Sequence, residues 1–353
     1  MSGFIVLAAI GAEALLTDKK WVKKYFIRPH DFFYRHYQRL CQHITLKREI
    51  IANKTGVAFF YLLLVTLLPL VFSYGVDWAD NKFYAVKIIE FLLLTRCLYF
   101  FEDIVVIKNF STAAAQKNLK TAQNIIQQTG WPQKIMNQEY GLMESVLENG
   151  LHRFIDGLIA PVLLYAVGGI MALLLYVSWQ AAAAVRVGGW LALPGQVHSA
   201  QKHRLAINRY MNIFYQPFRA FIALVAMGFI VFASIGMPRL KIQKAVRQWA
   251  RNIKEKGWQD SKGWSWLLFS TLLHFRPVIE VKSNLPTQHI PQASAHIPPL
   301  ANLDHVRDMM LLLLITAICF FAAIFVLLMG TEPLAGFKEL GIAIQETKNL
   351  LFH

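Results

Sequence analysis

Long runs of apolar residues constrain this chain more than any other feature. Ala58 to Val76, Phe83 to Phe101, Ile155 to Val177, Phe218 to Met237 and Met309 to Gly330 each approach or reach the length of a membrane crossing. A crossing needs about 20 apolar residues, because the helix rises 1.5 Å per residue through about 30 Å of hydrocarbon. Gly3 to Leu16 is a sixth, shorter run, and Lys19, Lys20, Lys23 and Lys24 follow it. A cleaved secretory signal has its positive charge before the apolar run. The order here predicts an uncleaved first span with its N-terminus outside.

Composition agrees. Of 353 residues, 56% are apolar and only 16% charged, against about 25% charged in soluble domains. The fold class expected is all-α, a polytopic helical bundle of about six spans forming one integral membrane domain over residues 1–353.

Net charge is +15. The basic residues flank apolar runs, and neither a zinc finger nor an RNP signature accompanies them, so the expected partner is membrane lipid and not nucleic acid. The positive-inside rule puts the loops 17–55, 102–154 and 238–308 in the cytoplasm. Arg239, Lys241, Lys244, Arg247, Arg251, Lys254 and Lys256 crowd the last of these. They are expected to be topology signals and lipid contacts.

Residues 178–218 should then emerge outside, yet they carry Arg186, Lys202, Arg204 and Arg209. A re-entrant stretch over Ala181 to Leu193 is one way to reconcile the two. Ala113 to Gln128 has helical periodicity, and Gly130 with Pro132 stops it. The stretch 283–300, with Pro286, Pro291, Pro298 and Pro299, has no periodicity and reads as an irregular loop.

Cys41, Cys97 and Cys319 are too scattered for a disulfide framework or a zinc site. No phosphate-binding GxxxxGK[ST] loop, GxGxxG, HExxH or GxSxG motif occurs. Ionisable groups inside the runs should face the bundle interior. Arg96 and Glu90 are read as a pair there. Glu148, His152 and Asp156 recur at i, i+4 and i+8, which places them on one helical face. Asp156, at the mouth of an apolar run, is either a functional carboxylate or a helix N-terminal charge favoured by the macrodipole. A small transporter has little support, because no pair of broken helices stands out.

Several short pieces, in order, resemble the CobD/CbiB cobalamin-biosynthesis family. Glu13 stands in the first apolar run, with Asp18 and Trp21 after it and Pro29-His30 beyond. Arg96-Cys97-Leu98 resembles the family's Arg-Ser-Leu, and Asn118-Leu119 with Ala122 its short helix. Glu148, Asp156-Gly157, Ala160-Pro161 and Gly168-Gly169 follow at family spacing, with Tyr176 beyond. Pro217-Phe218-Arg219 resembles a Pro-Ala-Arg.

The departures concern polar residues. Gln180 to Val187 reads QAAAAVRV where the family carries an Asn-Thr-x-Asp-Ser motif, and His152-Arg153 replaces a Glu-Asn pair. The resemblance implies a membrane adenosylcobinamide-phosphate synthase. Such an enzyme forms an amide between a corrinoid propionate and aminopropanol or its phosphate, with ATP and Mg²⁺. On that resemblance Asp156 and Glu148 are the expected catalytic residues, and Asp18, His30 and Arg219 the expected substrate contacts. No metal ligand set is assigned. The AmpE-like relatives share the Ala-Pro and Gly-Gly span but lack most polar motifs, which implies the alternative of a non-enzymatic regulator acting through partners.

Overall fold

The computed structural model describes residues 2–16, 28–46, 54–80, 86–129, 131, 139–184, 197–237, 239–256, 261–275 and 301–331. These residues are helical with short connections, and no strand occurs among them. In chain order the helices are α1 (Ser2–Leu16), α2 (Pro29–Leu46), α3 (Lys54–Asp80), α4 (Val86–Cys97), α5 (Phe100–Ala115) and α6 (Leu119–Thr129). They continue as α7 (Glu139–Phe154), α8 (Ala160–Ala184), α9 (Val197–Ser234), α10 (Ile242–Lys256), α11 (Ser261–Leu272) and α12 (Leu303–Thr331). A π-helical turn, Ile155–Ile159, joins α7 to α8.

Three stretches are long and apolar enough to cross a membrane: Gly141–Ala183, Tyr215–Ser234 and Leu303–Leu327. Ile5–Leu16 and Tyr61–Val76 are shorter apolar helices. Helix α3 shows what such elements do with their two sides. Tyr61 and Val65 are fully buried, while Leu67, Leu68, Val71 and Phe72 stand 46–69% exposed. On α12, Val306, Met309 and Phe320 are buried and Ile318 and Val326 are exposed. Apolar side chains so exposed on successive helices would drive a water-soluble protein to aggregate, whereas hydrocarbon solvates them. Pro69 lies inside α3, and Ser73 Oγ donates to its carbonyl at 2.6 Å. Residues Asn302 and His305 cap α12 reciprocally: His305 N donates to Asn302 Oδ1 and Asn302 N to His305 Nδ1, both at 3.1 Å.

The helices are more interrupted than the apolar pattern suggests. The expected span Phe83 to Phe101 is not one helix. It stops at Cys97, and α5 starts at Phe100 after a break at Leu98–Tyr99, where Tyr99 has φ −149° and ψ 20°. The exposed amide of Phe101 then donates to the Glu13 carboxylate of α1 at 3.0 Å. A buried acid from another helix thus satisfies a donor that a helix start leaves open. The expected helix Ala113 to Gln128 is also two pieces. Lys117 takes a left-handed φ of 57°, and Asn118 Oδ1 accepts from Thr121 N at 3.1 Å to start α6. Helix α6 is described to Thr129; Gly130 and Pro132, expected to stop it, lie outside the described residues.

The largest departure is in α8. Asp156 and Tyr176 are twenty residues apart, which in a straight helix is about 30 Å. The Tyr176 hydroxyl nevertheless donates to Asp156 Oδ1 at 3.2 Å. Tyr99 repeats the message: its amide donates to the Gly157 carbonyl at 3.2 Å, and Gln180 lies close enough to its hydroxyl to influence it. The chain must fold back between these points. It does so at Gly168 (φ −134°, ψ 18°) and Gly169 (φ 62°, ψ −156°). The second pair of angles is open essentially only to glycine. Ile155 to Val177 is therefore a hairpin of two helical arms, not a single crossing. Residues 178–184 return to the level of Asp156 instead of emerging a bilayer's thickness away. Ala181–Ala184, expected in a re-entrant stretch, complete the returning arm, and residues 185–193 lie outside the described set.

Around this hairpin the other helices assemble. Helix α8 packs against α2, α3, α4 and α9, and α9 packs also against α3, α11 and α12. Helix α9 begins at Val197, well before the expected span start at Phe218, and ends at Ser234. The expected pair of Arg96 with Glu90 does not form. Glu90 accepts from Lys87 Nζ and from the Tyr165 hydroxyl, both at 3.3 Å. Six positions along a helix turn two side chains well apart, so Arg96 faces Arg28, Asp31 and Glu13 instead. Cys97 is a buried free thiol and Cys319 a half-buried one; the Cys41 side chain and the proline-rich 283–300 lie outside the described residues.

Candidate functional site

The break at Leu98–Tyr99, the π turn and the returning arm of the hairpin meet at one place. The π turn carries Asp156 and Gly157. Such turns insert one extra residue into a helix and recur at functional sites. Here the insertion follows α7 without a new helix start, because Phe154 and Ala160 on either side keep helical angles. Asp156 is therefore not a helix N-terminal charge, and the macrodipole does not account for it.

What accounts for Asp156 is a buried ionic group. Arg219 Nη2 lies 3.5 Å from Asp156 Oδ2, and the Arg219 side chain is fully buried. Tyr176 holds the other carboxylate oxygen. Tyr215, one turn before Arg219, stacks at a tilt on Tyr176 with centroids 5.6 Å apart. Lys262 of α11 lies within electrostatic reach of Arg219, Asp156 and Glu148. Partial desolvation, then the Arg219 charge, pushes its ammonium below the ordinary lysine range, and the two carboxylates oppose this.

A second ionic group packs on Tyr99. Arg153 Nε donates to Asp103 Oδ1 at 2.7 Å. The Arg153 guanidinium lies 4.8 Å from the Tyr99 ring centroid and 5.6 Å from that of Trp131. Arg28 also approaches the Tyr99 ring, at 5.3 Å, and pairs with Glu102. Asp103 is 4% exposed, and burial pushes its carboxyl up to about 6 against the opposing pull of Arg153. Cation–π contact and ion pairing together hold each cation in place.

Gly157 explains why the two groups can approach. A Cβ there would meet Tyr99 ring carbons at 2.3–2.6 Å. Gly157→Ala is expected to lower stability by about 1–3 kcal/mol through overpacking. Thermal unfolding in detergent measures it, and Tyr99→Leu in the same chain should remove much of that loss.

Of the residues expected from sequence, the structure joins Asp156 to Arg219. Glu148 pairs instead with His152, Oε1 to Nε2 at 3.9 Å, one turn along α7. His30 lies at the start of α2, with Nδ1 3.4 Å from Asp31 Oδ1 and its ring stacked on Tyr34 at 6.3 Å. The hydrogen bond from His30 holds the Asp31 carboxyl below its ordinary range. Asp18 lies outside the described residues. Tyr99, Asp103, Arg153, Tyr215 and Lys262 are members of the cluster that the sequence does not single out. No sequence signal marks Asp103 and Arg153, because charged residues are ordinary in a stretch expected to be a cytoplasmic loop.

The described residues hold no three-side-chain set for a metal ion. Asp156 is engaged by Arg219 and Tyr176, Glu148 stands 3.9 Å from His152, and no group of three or more His, Cys, Asp or Glu could hold a metal among the described residues. Comparison with protein families, with curated proteins and with solved structures gives no match to this chain.

Proposed function

We propose that this chain is a divergent CobD/CbiB-type protein of the bacterial inner membrane. Its reaction class is amide formation between a corrinoid carboxylate and aminopropanol or its phosphate. One observation carries the reading. Family-like pieces that lie up to 63 positions apart, Asp156-Gly157 and Arg219, meet around one ionic centre, and Gly168-Gly169 makes the hairpin that brings Tyr176 there. In this reading Lys262, exposed on α11, receives the anionic part of a substrate, and the buried Arg219–Asp156 pair positions the groups around it. Asp103 and Arg153 position Tyr99 behind them. ATP supplies the activation of the acid. No step is drawn through Mg²⁺, since no group of three or more possible ligands occurs among the described residues.

The test is complementation. Expression in a bacterium that lacks its own synthase should restore cobalamin-dependent growth. Absence of growth, with the protein shown in the membrane, removes the enzyme reading. A second reading, an AmpE-like regulator without chemistry, is favoured by the internal pairing of Asp156 with Arg219, which ties that carboxylate within the bundle.

The proposed arrangement keeps residues 17–55 and 102–154 in the cytoplasm; because the hairpin returns the chain to the side it left, a cytoplasmic 238–308 and a count of six crossings no longer follow from it. A reporter fusion at residue 40 is expected to give a cytoplasmic signal, and an external signal there overturns this topology.

A further inference from the structure

We infer that α10 presents a binding site for anionic phospholipid headgroups. Lys244, Arg247, Arg251 and Lys254 follow one another at steps of three, four and three, so they share roughly a quarter of the helix circumference. All four are exposed, and none lies within ion-pair distance of a carboxylate among the described residues. Glu255 is the one acid in the sequence of α10, against five Lys and Arg.

The opposite face of α10 is already taken. Ala245 is buried, and Trp249 packs on Trp264 of α11 with centroids 6.0 Å apart. Lys241 Nζ contacts His274 Nε2 at 2.9 Å and Thr271 Oγ1 donates to Gln248 Oε1 at 3.3 Å, which fixes the roll of the helix. An interfacial helix ordinarily binds by sinking its apolar face into the acyl boundary. This one has no free apolar face to sink, so its attraction to a surface must be electrostatic.

Position supplies the surface. The stretch Tyr215–Ser234 ends with Phe232 and Ile235 exposed by 62% and 67%, as side chains in hydrocarbon are. Tight turns follow at once, with bonds from Ile235 N to Phe232 O, Met237 N to Ser234 O and Leu240 N to Met237 O. The basic stripe therefore starts within a few residues of the hydrocarbon edge, at headgroup level. Charge alone would also suit a nucleic acid, but single strands are held by stacking on aromatic rings. The aromatic ring of α10, Trp249, is turned into the protein.

The full chain in neutral detergent, titrated with short-chain phosphatidylglycerol or phosphatidylcholine, tests this by native mass spectrometry. Phosphatidylglycerol should bind at least about tenfold tighter, and each charge removed should weaken it about fivefold, since one Lys or Arg near an anionic surface is worth about 1 kcal/mol. The variant K244Q/R247Q/R251Q/K254Q should lose the preference while keeping the wild-type melting temperature in neutral detergent. Should that variant not fold, wild-type salt dependence decides: a preference unchanged at about 0.5 M salt overturns the proposal. Equal binding of the two lipids overturns it, as does a folded variant that keeps the preference. Glycerol phosphate competing as well as the lipid would make the site one for free anions. An oligonucleotide bound where phosphatidylglycerol is not would make it a nucleic-acid site. Either result overturns the lipid assignment.

Discussion

Asp156→Asn is expected to destabilise this protein by about 3–5 kcal/mol, because it takes the carboxylate charge away from a fully buried arginine. The amide keeps the shape of the side chain and can still accept from Tyr176. It cannot balance the Arg219 guanidinium, which has 0% exposed side chain. Burial makes that charge costly, and the Tyr215 hydroxyl near it offers only a dipole. Arg219→Met should cost a similar amount by stranding Asp156. The double variant D156N/R219M should recover most of either loss, since a buried pair replaced together by neutral groups is often close to neutral. Thermal unfolding of the four proteins in detergent gives the coupling energy directly. A D156N protein that melts within a degree of wild type would mean the pair is solvated. Loss of activity in D156N alone would then be evidence of chemistry. If D156N unfolds as expected, activity must be judged in the double variant.

The expectation for Asp156 from sequence was different, and the reason is physical. An acid before an apolar run looks like a helix N-terminal charge, worth a few tenths of a kcal/mol to 1 kcal/mol. Periodicity cannot show that α7 runs through a π turn into α8, nor that Arg219 comes to meet the acid from 63 positions away. Apolar length and loop charge did make the helical class legible, since spans are read from composition alone. Interruptions were harder. Leu98–Tyr99 breaks a run of apolar residues with no glycine or proline to mark it, because its cause is distant: Glu13 caps the new helix and Gly157 receives the Tyr99 amide. The small-transporter reading was set aside for want of broken helices, and the fold has two that touch at Tyr99 and Gly157. Gly168-Gly169 was visible, and the resemblance gave its place, but two glycines in an apolar run can equally be a helix contact face. What decides for a turn is the left-handed φ of Gly169.

That turn supports the second large effect. The variant G168A/G169A is expected to lose about 2–6 kcal/mol in total, from strain at position 169 and overpacking at position 168. Gly169 sits at φ 62° and ψ −156°, where a Cβ clashes with its own backbone whatever the surrounding space. Nothing else lies within 4 Å of that Cβ, so the loss at 169 is pure backbone strain, and Gly169→Asn should be milder than Gly169→Val. At Gly168 a Cβ would stand 2.7 Å from the Ala172 Cβ, so the cost there is steric. The outcome has a geometric signature as well as an energetic one. Spin labels at Asn149 and Ala183 would sit about 50 Å apart along a straight helix, and at less than half that in a hairpin. Wild type should give the short distance. The double variant should either unfold or populate the long one, and with it lose the coupling between Tyr176→Phe and Asp156→Asn. A long distance in wild type would contradict the fold-back, and with it the contact that places Tyr176 on Asp156.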